Sequence, residues 1–308
     1  MAMYAIIDMN GSVQEGLIPH LIDMGKKVRL LSTVPTSFPA CEQRIPALLN
    51  YEQVVSDIKG AEVVYVLSMI PDENSLEEYE FTGALFNIMN ACKEIRSRLV
   101  YLDTTWVYTK NEVPFTELSA SHSMYHKGII GRKALSIVQA EMKANRINAT
   151  VARAGELYGP GYAMNKGGNE VLLNLVKNRS SSWYIDADLR HSFHFLPDVV
   201  RALYVLGTRN QARGQLWNLP AAFPTLTGRQ FIEAAACLLK VSANIKIIPK
   251  WLLSLRALVD PAARELKYKY GFPVVVNSEK FENEFDQHST PYAEGIAATL
   301  EWLLLNRS

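Results

Sequence analysis

Through the first half of the chain, short uninterrupted apolar runs alternate with longer stretches whose apolar residues recur at helical spacing. "YAIID" (4–8) leads into a helical stretch that ends at Gly25. "KVRLLS" (27–32) and "EVVYVLSM" (62–69) follow as strands. A long helical pattern over 74–95 sets Leu76, Tyr79, Leu85, Ile88, Met89 and Cys92 near one face. "RLVYLD" (98–103) returns as a strand, "ALSIVQAEMKANR" (134–146) as a helix and "NATVARAG" (148–155) as a strand. Strands that are apolar throughout, with helices between them, predict an α/β fold: a parallel sheet covered on both faces.

After Tyr158 the texture changes. "YGPGYAMNKGG" (158–168) is rich in Gly and Pro, and the remainder carries more aromatics at irregular spacing, so a domain change is expected there. The expected division is a Rossmann-like nucleotide-binding domain over 1–158, to which 191–220 returns. A smaller, mostly C-terminal substrate portion takes 159–190 and 221–308.

Composition narrows the function. The 308 residues are 48% hydrophobic and 20% charged, enough for a sizeable core. With 32 basic against 31 acidic residues and no basic block, neither nucleic acid nor a membrane surface is an expected partner. A small-molecule substrate is, and a homodimer is left open. Cys41, Cys92 and Cys237 are far apart and suggest neither a zinc site nor a disulfide framework. Asp8 interrupts the first apolar run and Arg256 the run "WLLSLRALV" (251–259), so no signal peptide or membrane span is expected and a cytoplasmic location is.

The candidate chemistry begins at Asn10-Gly11, just after the first strand. "GSVQEGLIPHLIDMGKKVRLL" resembles "GFVGRALVPALLARGHEVRVL" of the short-chain dehydrogenase/reductase superfamily, in its extended or atypical epimerase/dehydratase-like branch, down to Pro19. The resemblance implies a Rossmann-type doubly wound sheet and NAD(P) as cofactor. It also places Asp8, Gly11 and Gln14 where that family has the three glycines of its G-x-x-G-x-x-G turn. Those glycines give the tight turn, the close approach to pyrophosphate and the helix–strand contact. Gln14 adds a side chain there, and Asp8 brings negative charge to an anion site. Thr33 stands where an NADP-binding relative offers Arg, with no acidic residue for a ribose, and Ala47 falls at the adenine-contacting Asp. The expected cofactor residues are therefore Asn10, Gly11, Ser12 and Thr33, at a weakened site.

"RLVYLDTTWVY" (98–108) resembles the family strand ending in "SSxxVYG" and places Thr104 at the catalytic Ser/Thr. The family's Y-x-x-x-K pair is broken, because Tyr125 is followed at that spacing by Ile129. Counting back from Arg153 puts Lys127 in the Tyr slot and Gly131 in the Lys slot. "KGIIGR" also resembles an atypical subgroup with K-G-x-x-R. Thr104, Tyr125, His126 and Lys127 are the catalytic candidates.

"RHSFHFLPDVVRAL" (190–203) resembles "RDFxxVxDxxxAL" anchored at Asp198. His191 then takes the register of an Arg that contacts the diphosphate in UDP-sugar relatives, which counts against a nucleotide sugar. Tyr158, His191 and His194 are the substrate candidates, and no metal is expected.

Three functions follow. The first is an enzyme performing a non-redox step (isomerisation, cyclisation or elimination) with a weakened or lost NAD(P) site. The second is an NAD(P)-dependent oxidoreductase or epimerase that holds pyrophosphate on rebuilt Asn10, Gly11 and Ser12 amides. The third is a non-catalytic sensor or scaffold of the NmrA type.

Overall fold

A computed structural model describes residues 1–11, 13–68, 78–108, 113–121, 123, 126–164 and 166–306. In chain order the first half contains β1 (Met3–Asp8), α1 (Gln14–Asp23), β2 (Lys27–Leu31), β3 (Glu42–Arg44), α2 (Tyr51–Ile58), β4 (Ala61–Ser68), α3 (Glu78–Glu94), β5 (Arg98–Thr104), α4 (His126–Lys143) and β6 (Ala149–Ala154). Then come β7 (Glu156–Tyr158), α5 (Gly167–Val176), β8 (Ser181–Tyr184), β9 (Phe193–Phe195), α6 (Leu196–Thr208), β10 (Leu216–Asn218), α7 (Gly228–Leu239) and β11 (Ile245–Ile248). Four helices close the chain: α8 (Lys250–Arg256), α9 (Pro261–Lys269), α10 (Glu279–Phe285) and α11 (Tyr292–Leu305).

Seven strands form one parallel sheet in the order β10-β6-β5-β4-β1-β2-β3, flanked by helices, which is the expected Rossmann-type α/β architecture. β1 lies at the point where the order reverses, paired on one side with β2 (Ile6 with Leu30) and on the other with β4 (Ile6 with Tyr65). In such sheets ligands sit beyond the carboxyl ends of the strands at that switch point. The turn after Asp8 therefore occupies the expected place for a site.

The chain divides into two compact units: 1–107, 122–153 and 200–217 form the first, and 108–121, 154–199 and 218–308 the second. The core of the first unit alternates along its strands. Ala5 and Ile7 of β1, Val64 and Val66 of β4 and Leu99 and Tyr101 of β5 pack with Leu85, Ile88, Met89 and Cys92 of α3. Those α3 residues were the apolar stripe read from the sequence; Tyr79 is exposed and Leu76 lies outside the described residues. The second unit is built around aromatics: Tyr158, Trp183, Phe193 and Phe231 join Leu172, Ile296 and Leu300. Phe193 stacks on Phe231 with ring centroids 4.1 Å apart.

Candidate functional site

The first turn is organised around Asp8. Its side chain is wholly buried, and it accepts four backbone N–H groups. Oδ1 takes those of Asn10 (3.2 Å) and Gly11 (3.0 Å), and Oδ2 those of Val13 (3.1 Å) and Gln14 (3.0 Å). Val13 caps α1 and Gln14 is its first residue, so two of these amides are donors that any helix N-terminus leaves unsatisfied. Burial pushes the Asp8 pKa up, against the pull of the four amides toward the charged form.

The loop after β2 closes over the same turn. Gly11 has φ +64°, and a Cβ there would lie 2.6 Å from Val34 Cγ1, so Val34 fills the space above the glycine. Buried Gln14 directs Nε2 at the Val34 and Pro35 carbonyls, each at 3.4 Å, and its Oε1 has no hydrogen-bond partner. From the other side Gln43 Nε2 donates to the carbonyls of Ser32 (3.1 Å) and Val34 (2.9 Å). Thr33 is exposed on this loop, and Ala47 is exposed ahead of α2. Ser12 lies outside the described residues.

β5 brings the catalytic candidates to the same unit. Thr104 is its exposed last residue. Beside it Asp103 Oδ2 holds Arg153 of β6 through Nε (2.8 Å) and Nη2 (2.7 Å), with both side chains at most 2% exposed. This pair pins the ends of two adjacent strands. The chain then makes a single tight turn, 105–107, against which α4 packs.

Glycine permits that contact: a Cβ on Gly128 would lie 2.6 Å from the Trp106 carbonyl oxygen. Lys127 is buried, with Nζ 4.9 Å from the Trp106 ring centroid. Gly131, in the family's Lys slot, faces Val107, whose Cγ1 would be 3.3 Å from an added Cβ. His126 is exposed at the start of α4, and Tyr125 lies outside the described residues. Thr104 and Lys127 thus come from consecutive packed elements.

In the second unit Tyr158, His191 and His194 are at 0%, 3% and 0% exposure. β7 and β9 pair in parallel, Leu157 with His194 and Tyr158 with Phe195. His194 Nδ1 accepts the Gly155 N–H at 3.1 Å. His191 lies edge-on to Trp183 (5.8 Å) and beside Tyr270 (5.5 Å). Burial drives the His191 pKa down to about 3, with Lys269 adding to the effect, and that of His194 to about 4, so both rings are uncharged near neutrality. The Tyr158 hydroxyl has no hydrogen-bond partner among the described residues.

Two features of this unit were not singled out from the sequence. Lys269 Nζ pairs with Glu156 at 2.5 Å, and buried Asn169 both accepts from and donates to the Gly159 backbone (2.8 and 2.9 Å). Asn169 follows the Gly-rich run that read only as a loop, and its spacing carried no signal. Among the described residues no group of three His, Cys, Asp or Glu side chains could hold a metal ion, and no helix is long and apolar enough to cross a membrane.

Comparison with known proteins agrees with this architecture. The structure superposes on MoeE5 solved with UDP-glucose and NAD (TM-score 0.80, 16% identity, all of both chains). It also superposes on the epimerase Mth375 from Methanothermobacter thermautotrophicus (TM-score 0.82, 16% identity, 99% of this chain and 93% of that one). A third match is dTDP-glucose 4,6-dehydratase from Bacillus anthracis in complex with NAD (TM-score 0.80, 16% identity, 100% and 98%). At such identities these likenesses establish the fold. No curated protein matches the sequence. The family model for NAD dependent epimerases and dehydratases matches residues 15–219, two thirds of the chain, and the protein belongs to the NAD-dependent epimerase/dehydratase family.

Proposed function

We propose that this protein is an enzyme of small-molecule metabolism that performs a non-redox step, an isomerisation, cyclisation or elimination, and that its first turn no longer holds NAD(P). The Asp8 carboxylate carries the proposal. A dinucleotide binds a Rossmann turn by placing pyrophosphate oxygens on the amides at the helix N-terminus. Here the Asn10, Gly11, Val13 and Gln14 amides already donate to Asp8. A second anion at the same place would have to compete with Asp8 for those donors and would be repelled by its carboxylate. Val34 over Gly11 and the exposed, uncharged Thr33 supply no compensating contact for ribose or a 2′-phosphate. The residues present do not fit the cofactor.

The chemistry then falls to this chain's own side chains. Thr104, exposed at the carboxyl end of β5, donates its hydroxyl to a substrate carbonyl, and His126 and Tyr125 move the proton. Lys127, held on Trp106, supplies fixed positive charge beside the first turn of α4. Tyr158, His191 and His194 form the buried floor of the substrate portion. An uncharged, buried His191 in the register of a diphosphate-binding Arg favours a substrate other than a nucleotide sugar.

Fluorescence titration with NADH and NADPH tests the reading. No saturable binding is expected up to millimolar cofactor; micromolar binding accompanied by substrate-dependent oxidation would overturn it. That opposite result is what the second reading, an NAD(P)-dependent oxidoreductase or epimerase with a rebuilt phosphate site, requires. Family membership and the NAD-bearing structures similar to this one favour that reading.

A further inference from the structure

The second unit contains a cavity of about 810 Å³, formed entirely by its own residues. That volume is in the range of small-molecule sites. One wall is apolar: Val113, Pro114, Phe223, Pro273 and Val275. Phe223 leaves 85% of its surface exposed, a large unprotected aromatic face. Polar residues line the cavity as well. The Arg190 guanidinium makes no hydrogen bond or ion pair among the described residues, although Arg190 lines the cavity and its backbone is fixed by an isolated bridge to Thr227. Thr225, 5% exposed, also lines the cavity. Ser289, half-buried, lines it too. Asn277 uses Oδ1 to accept the Glu279 N–H at 2.8 Å, which leaves its amide NH₂ available.

A guanidinium with no partner among the described residues, in the same cavity as an exposed aromatic ring, suits an oxyanion on an apolar body. Two carboxylates limit its charge. Glu279 and Glu282 line the same cavity; Glu282 accepts from Ser278 Oγ at 2.7 Å and lies 3.7 Å from His288. With two carboxylates and one guanidinium in the lining, a dianion is repelled more strongly than a monoanion. We propose that this cavity is a binding site for an organic monocarboxylate with an aromatic or aliphatic body, its carboxylate on Arg190 and Thr225 and its body against Phe223, Pro114 and Val275.

The inference is independent of the cofactor reading, since none of these residues belongs to the first turn. Isothermal titration of the full chain with 2-naphthoate tests it, with 2-naphthamide and 2-naphthyl phosphate as comparators. Saturable one-to-one binding of 2-naphthoate is expected. The amide should bind about tenfold more weakly, as should 2-naphthoate to Arg190→Gln, the loss of one charge-assisted contact. Because Arg190 is exposed and unpaired, its replacement should leave the thermal midpoint unchanged, and the amide comparison needs no variant. Absence of saturable 2-naphthoate binding, or binding indifferent to both the amide and Arg190→Gln, would overturn the site. Tighter binding of 2-naphthyl phosphate than of 2-naphthoate would overturn its single-charge selectivity.

Discussion

Replacing Asp8 with alanine removes the acceptor for four amides at once, and their burial sets the size of the effect. Water can reach the partly buried Asn10 and Gly11 amides, but the Val13 and Gln14 amides lie in residues 2% and 0% exposed. Two buried donors left unsatisfied cost about 1–3 kcal/mol each, so Asp8→Ala should lose about 2–6 kcal/mol. Asp8→Asn keeps one acceptor oxygen and turns an NH₂ toward the other amides, so it should fall between wild type and Asp8→Ala. Urea denaturation followed by circular dichroism measures the difference, provided the transitions of both units are resolved. A complementary arm uses Asp8→Gly, which opens the nest. Inorganic pyrophosphate should raise its melting temperature by mass action and leave wild type unmoved. If Asp8→Ala matched wild type within about 0.5 kcal/mol, the amides would have another acceptor and the argument from Asp8 would fail.

Other expectations follow from the same geometry. His191 and His194 have folded pKa values of about 3 and about 4, below the usual histidine value, so the stability they contribute is complete above about pH 6.5 and is lost as pH falls toward those values. At pH 5 each should cost about 2 kcal/mol, and His194→Asn should flatten the acid limb of a pH-dependent melting series; an unchanged limb would refute the assignment. Asp103→Ala removes the carboxylate that the buried Arg153 guanidinium pairs with, an expected loss of about 3–5 kcal/mol, whereas a loss below about 1 kcal/mol would show that the pair is solvated. Gly128→Ala forces a Cβ against the Trp106 carbonyl and Ser123, so proteolysis near the start of α4 should accelerate. Thr104→Val should abolish turnover once a substrate is found while leaving the melting temperature unchanged, because Thr104 is exposed.

The architecture was legible because it rests on local pattern. The continuous apolar runs from β1 to β6 announce a buried parallel sheet, and Leu85, Ile88, Met89 and Cys92 carry the helical period of α3 into the core. α4 was read too short. It begins at His126 rather than near 134, because Gly128 and Gly131 look like helix breakers unless one knows that Trp106 and Val107 press against them. At the first turn, the sign of the Asp8 effect could be read from its charge. Its extent could not, because it depends on Val34 and Gln43, which come from a loop and a strand remote in sequence. The burial of His191 and His194 was equally hidden. Alternation along a strand normally turns one face outward, but every residue from 191 to 195, β9 included, is buried, with β7 paired to β9 and aromatics such as Trp183, Tyr270 and Phe231 packed against the run.

The carboxylate that satisfies the first turn also constrains how this sequence can evolve. Replacing Gln14 alone leaves the anion in place and gains no ligand. Replacing Asp8 alone strands buried amides before any nucleotide is bound tightly enough to stabilise them. Freeing the amides of this turn for an outside anion therefore needs concerted changes at Asp8, Gln14 and the Val34 loop, with a loss of stability at the intermediate steps. The residues of the turn are therefore energetically coupled and tolerate exchange only together, whereas a substitution at an exposed position away from it acts singly.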